Sequence, residues 1–180
     1  MNSMESKPEC TFYKYLLPSE NGEGWGEIII SSSGMFAAVT DYGNYAYLWT
    51  NHGCSDIREF VARLGNSPDY LASKLEPIKK YDGPLTVRAI KNRILEGRRG
   101  GEYSQEFAKK EWDLLTLYES DILDGIFGLN EWMEDTGLGD AWECTVYSHS
   151  VDVRHFCKKL MPRLAELIRK ELTEKPVYAL

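Results

Sequence analysis

The sequence predicts an α+β fold: an antiparallel sheet, built from a three-stranded meander plus a late strand, with helices covering one face. Three observations carry this reading. Residues 25–50 hold three short β-branched and aromatic stretches separated by turn chemistry. Residues 54–135 hold helix caps and apolar residues at helical spacing, and residues 140–173 add one alternating stretch followed by a broad apolar helical stripe. Strands first and helices after, rather than strict alternation of the two, argue against a parallel βαβ sheet.

The first 24 residues read as a loose arm with one early strand around Phe12–Leu17. GWGEIIIS is then a strand, SSSG a turn, MFAAVT a second strand, DYGN a second turn and YAYLW a third strand. Ser55 is placed to cap a helix whose Ile57, Phe60, Val61 and Leu64 fall at i, i+3, i+4 and i+7. Ser67-Pro68 opens a short helix to Leu75. Pro84 opens another to Gly97, and Ser104 caps a third, with Phe107, Leu114, Leu115 and Tyr118 inward. Asp121–Met133 is expected helical, with Gly125 and Gly128 weakening it. In AWECTVYSH the residues Trp142, Cys144 and Val146 alternate with Glu143, Thr145 and Tyr147, as a strand requires. The final helix, about 152–173, carries Pro162 in its middle and should kink or split there.

A chain of 180 residues is the length of a single domain. With 43% hydrophobic and 27% charged residues it can bury a core, which excludes a disordered chain. Its apolar runs are far shorter than a membrane span, and no signal-peptide core follows the N-terminus, so the expected location is cytoplasmic. The spread of Cys10, Cys54, Cys144 and Cys157 then suits free thiols.

The net charge of −7 conceals a strong polarity. Residues 79–110 hold nine Lys or Arg against four acids, and residues 111–143 hold ten acids and no basic residue. Such a field steers partners. Glu131, Glu134 and Asp135 flank Trp132, which makes an acidic, aromatic-bearing segment suited to a basic protein partner, with a plain solvated face as the alternative. Tyr45, Tyr47 and Trp49 alternate, so they share one face of their strand. They read as the floor under a helix or as a partner-binding row, and Ala46 and Leu48 on the other face are small enough to lie under a close-packed helix. Stacking of single-stranded nucleic acid on the row is disfavoured, because no Lys or Arg stands beside it.

The candidate catalytic residues are Cys54, His52, Cys144 and His149, a thiol and a base in each case. Cys54 precedes a helix N-terminus, and Cys144 and His149 lie five residues apart. His52-Gly53-Cys54 and His155-Phe156-Cys157 invite a zinc reading, but residues two apart on a helix point about 200° from each other. No metal and no cofactor are therefore expected. RRGG at 98–101 lacks the spacing and preceding strand of a phosphate loop.

The run from Ser31 to Leu75 resembles a segment of small phage and prophage proteins, in which a D-Y-G-N-Y-x-Y-x-W strand leads into a helix and a Y-x-x-x-K-L ending. The resemblance implies a mobile-element origin and an accessory protein that binds a host or defence-system protein rather than a catalyst. It assigns no site residue.

Overall fold

The computed structural model describes residues 10–174, and these divide into two compact units. The first comprises the described residues up to Ile78 together with those from His149 onward, and the second is Lys79–Ser148.

The first unit is built on a four-stranded antiparallel meander: β1 (Phe12–Leu17), β2 (Gly26–Ser31), β3 (Met35–Thr40) and β4 (Gly43–Leu48), in that spatial order. The three strands read from alternation are all present. The fourth partner is the early strand at the N-terminus, where Tyr13 faces Ile30 and Tyr15 faces Ile28, so the arm is held by a full ladder. The β2–β3 turn depends on Gly34, whose φ is +96° and whose missing Cβ leaves room for the Trp49 carbonyl.

One sheet face is covered by α1 (Ile57–Leu64), α2 (Pro68–Leu75) and the C-terminal helical run. That run is split as Pro162 demands. It comprises α6 (Val151–His155), a π-helical turn (Phe156–Leu160) and α7 (Met161–Thr173). Met161 N–H donates to the Phe156 carbonyl five residues back, one residue before the proline that has no N–H to give. The wider turn keeps Phe156, Leu160, Leu164 and Ile168 on the buried side, where Ile28, Ile30 and Phe36 of the sheet meet them. The cap of α1 falls one residue later than read: the Asp56 carboxylate, not Ser55, accepts the Arg58 N–H at 2.8 Å and also pairs with the Arg58 guanidinium. Arg58 lies over the Tyr13 ring and reaches Glu171 at 2.9 Å, which ties β1, α1 and α7 together.

The second unit is helical, with α3 (Gly83–Arg99), α4 (Gln105–Asp124) and α5 (Ile126–Asp135) around Ile90, Ile94, Leu115, Ile122, Leu129 and Trp132. Ser104 caps α4 as its sequence predicts, accepting the Phe107 N–H at 3.1 Å. The strand expected at 140–148 needs correction. Ala141–Cys144 is a 3₁₀ turn, and only Tyr147–Ser148 (β6) pairs, with Lys80–Tyr81 (β5) in a separate two-stranded ribbon. Asp140 adopts a left-handed conformation, φ 54°, and the buried residues recur three apart, Ala141 and Cys144, while Trp142 points to solvent. That spacing is the 3₁₀ period, which an alternating apolar pattern of four residues mimics. Among the described residues, no helix is long and apolar enough to cross a membrane.

Candidate functional site

The acidic segment is shaped by two glycines. At Gly125 the backbone is extended, φ 169° and ψ 177°, and this breaks the helix expected at 121–133 into the end of α4 and the start of α5. Gly128 then lets α5 lie directly on the α4 backbone, because a Cβ there would meet the Asp121 carbonyl group and stand 2.6 Å from the Asp121 Cβ. With the crossing set, α5 has one inward and one outward side. Leu129 and Trp132 go inward and are fully buried. Trp132 is thus a core residue and not the exposed anchor of an acidic patch; its indole N–H is buried without a hydrogen-bond partner.

The anchor on the outward side is Phe127, 82% exposed. Phe127, Glu131 and Glu134 recur at i, i+4 and i+7, so they form one stripe along α5. Asp135 stands beside the stripe and accepts a hydrogen bond from the Tyr118 hydroxyl at 2.5 Å, which pushes the Tyr118 phenol up. On α4, Asp113, Leu117, Asp121 and Asp124 share another exposed face with the same composition, an apolar side chain among acids. Neither α4 nor α5 has a basic residue in its last turn. Carboxylates there stand against the negative end of the helix dipole, an arrangement that costs stability.

One acid of the run has a different role. Glu111 is fully buried, and its carboxylate accepts from the Thr136 hydroxyl at 2.6 Å and from the Gly137 N–H at 3.1 Å. It therefore holds the loop after α5. The sequence carried a signal for this: Glu111 follows Ala108 by three and precedes Leu115 by four, which puts it on the buried side of α4.

The thiol and imidazole candidates are distributed over both units. His52 Nδ1 accepts the Cys54 backbone N–H at 3.4 Å in a turn before α1. His149 Nδ1 lies 3.6 Å from the Glu76 carboxylate, within the first unit, whereas Cys144 belongs to the core of the second. Burial pushes the Cys144 thiol up and the Cys157 thiol up to about 12, which disfavours the nucleophilic thiolate. Among the described residues, no group of three or more His, Cys, Asp or Glu side chains is placed to hold a metal ion.

The aromatic row of β4 turns toward the helices. Trp49 is buried, packs edge-on against Phe36 and Phe60 at 6.0 and 5.4 Å, and donates its indole N–H to the Tyr70 hydroxyl at 3.3 Å. Tyr45 stacks at 4.5 Å on Phe156, and burial raises its phenol to about 12. Tyr47 lies half-buried, 4.7 Å from Trp49. Ala46 and Leu48 are the exposed pair, the reverse of the small-under-helix arrangement.

Compared with known proteins, residues 4–170 match a family model described as a phage family. No curated protein and no solved structure matches the chain.

Proposed function

The chain belongs to that phage family, and from this premise we propose that it is a non-catalytic accessory protein that binds a basic surface on a host or defence-system protein in the host cytoplasm. The observation that carries the reading is Phe127, a large apolar side chain 82% exposed at the head of the Glu131–Glu134 stripe. An aromatic anchor beside carboxylates suits a partner that offers an apolar pocket rimmed by Lys or Arg. The anchor supplies residence time, and the acids supply encounter rate.

A second feature supports it. Asp121 and Asp124 at the end of α4, and Glu134 and Asp135 at the end of α5, sit where the helix dipole makes them costly, and departures from local rules concentrate at functional surfaces. Reversing them should therefore spare the fold and harm only recognition.

The test uses the full chain immobilised against host-cell lysate, with Phe127→Ala and Glu131→Lys/Glu134→Lys variants beside it. The expected result is a defined protein retained by the wild type, lost from Phe127→Ala, and captured more slowly by the double variant, whose melting temperature equals or exceeds that of the wild type. Equal capture by all three chains refutes this surface as the binding face.

A further inference from the structure

Among the described residues of the first unit, the helices cover one face of the four-stranded sheet and leave the other uncovered. Along β1, β3 and β4 the side chains on this face include Phe12, Leu16, Val39 and Leu48, each more than half exposed, together with Met35. Trp25, one residue before β2 and in the same alternation, adds a further exposed ring. Strand register makes these side chains neighbours: Met35 lies opposite Leu48, and Ile29, Ala37 and Ala46 line up across the centre. Soluble sheets with one covered face normally turn polar residues to the other. This one does not.

We infer that two copies of the chain pack through these open sheet faces, related by a two-fold axis. Charge argues for a second copy over a basic host protein. The face carries one cation and one anion, Lys14 and Glu27, and they neutralise each other at 2.7 Å. A two-fold contact must be self-complementary, and a face with no net charge meets its own copy without the repulsion that an acidic patch would bring. The acid-rich run at 111–143 lies wholly in the other unit, so the chain's net charge of −7 is not concentrated here. Area argues the same way. Six-residue strands in a four-stranded sheet make a face about 20 Å on each side. Six large apolar side chains, Phe12, Leu16, Trp25, Met35, Val39 and Leu48, stand exposed on a face of that size, where an ordinary monomer surface scatters them singly. Two such faces would stack about 10 Å apart with their strands nearly aligned, as in a β-sandwich.

Sedimentation velocity of the full chain across a hundredfold concentration range tests this. The expected result is a dimer for the wild type and a monomer for Val39→Lys/Leu48→Glu, whose dissociation constant should rise at least 100-fold while its melting transition stays intact. The Lys14→Glu variant should also weaken the dimer, and Lys14→Glu/Glu27→Lys should restore it. A wild-type chain that stays monomeric throughout overturns the inference, including the case in which this face instead captures a host protein. So does a dimer that survives Val39→Lys/Leu48→Glu, because edge-to-edge strand pairing or the helical unit would then hold it. Phe127→Ala lies on the other unit and should leave the dimer unchanged, so loss of host binding and loss of self-association are separately read.

Discussion

Replacing Gly128 with alanine puts the α4–α5 crossing to a quantitative test. Helix propensity alone favours the change by about 1 kcal/mol, since glycine is the poorer helix former. The packing opposes it. The new Cβ would overlap the Asp121 carbonyl and stand 2.6 Å from the Asp121 Cβ, where ordinary contact begins near 3.4 Å. A flexible side-chain tip could swing away, but main-chain atoms cannot, so α5 must withdraw from α4 by about 1 Å, an overpacking strain of roughly 1–3 kcal/mol. Withdrawal also loosens Leu129 and Trp132, both fully buried. A gap of that size forfeits a quarter to a half of each van der Waals well, or about 1–2 kcal/mol for two large side chains. The net expectation is a loss of about 2–3 kcal/mol, which lowers the melting temperature of a unit this size by about 10–15 °C. Differential scanning calorimetry reads it directly. Gly125→Ala is the control, because its backbone is extended and a Cβ there meets nothing within 4 Å. A Gly128→Ala chain that melts at or above the wild-type temperature would refute the close crossing and, with it, the outward direction of Phe127.

Two further outcomes follow from titrating groups. Hydrogen bonding with Ser33 and Ser32 holds the exposed Cys10 thiol below its ordinary value, while burial raises Cys144 and Cys157. Alkylation at neutral pH, followed by intact mass, should therefore label Cys10 first and spare Cys144 and Cys157 until denaturant is added; fast native labelling of Cys144 would revive it as a nucleophile. Asp56 is held below the usual 3.8 by the hydrogen bonds and charge of Arg58. A depressed carboxyl stabilises the fold above its unfolded pKa and loses that contribution as the pH falls through the folded value, so Asp56→Asn should cost about 1 kcal/mol at pH 7 and almost nothing once the pH falls well below 3.8. A difference from wild type that persists undiminished in acid would show that the ion pair is not the source.

The meander was readable because strand alternation is a local property. Gly26–Ser31, Met35–Thr40 and Gly43–Leu48 fall within a residue or two of the segments picked out by their β-branched and aromatic content. Which face of β4 is buried was not readable, since it depends on Phe60 and Phe156, 11 and 107 residues beyond Trp49, arriving above the row. Ser55 and Asp56 both suit a cap, and the choice falls to Asp56 because Arg58 rewards a carboxylate with a second bond. At 140–148 an apolar pattern of period two and one of period three are too short to tell apart. The acidic stripe of α5 was half legible. Glu131, Glu134 and Asp135 are exposed, yet their nearest aromatic in sequence, Trp132, turns inward because helical geometry sends adjacent residues about 100° apart. The residue sharing their face stands four before Glu131, at Phe127.

The order in which the first unit is assembled from the chain has a kinetic consequence. The sheet of β1–β4 leaves the ribosome early, but α6 and α7, which cover it, are encoded beyond the whole of Lys79–Ser148. Until the last helix emerges, Ile28, Ile30 and Phe36 lack the cover of Phe156, Leu160, Leu164 and Ile168, and α1 and α2 alone must shield them. The intervening unit shortens that exposed period if it folds on its own: its β5–β6 ribbon brings residues 80 and 148 side by side, so its folding closes the gap between the early sheet and the late helix. A loop of that length left unstructured would impose the full closure entropy. Docking of α7 is then expected to be the last step of folding, and truncation within it would leave a nascent sheet apolar on both faces, the form most prone to aggregate.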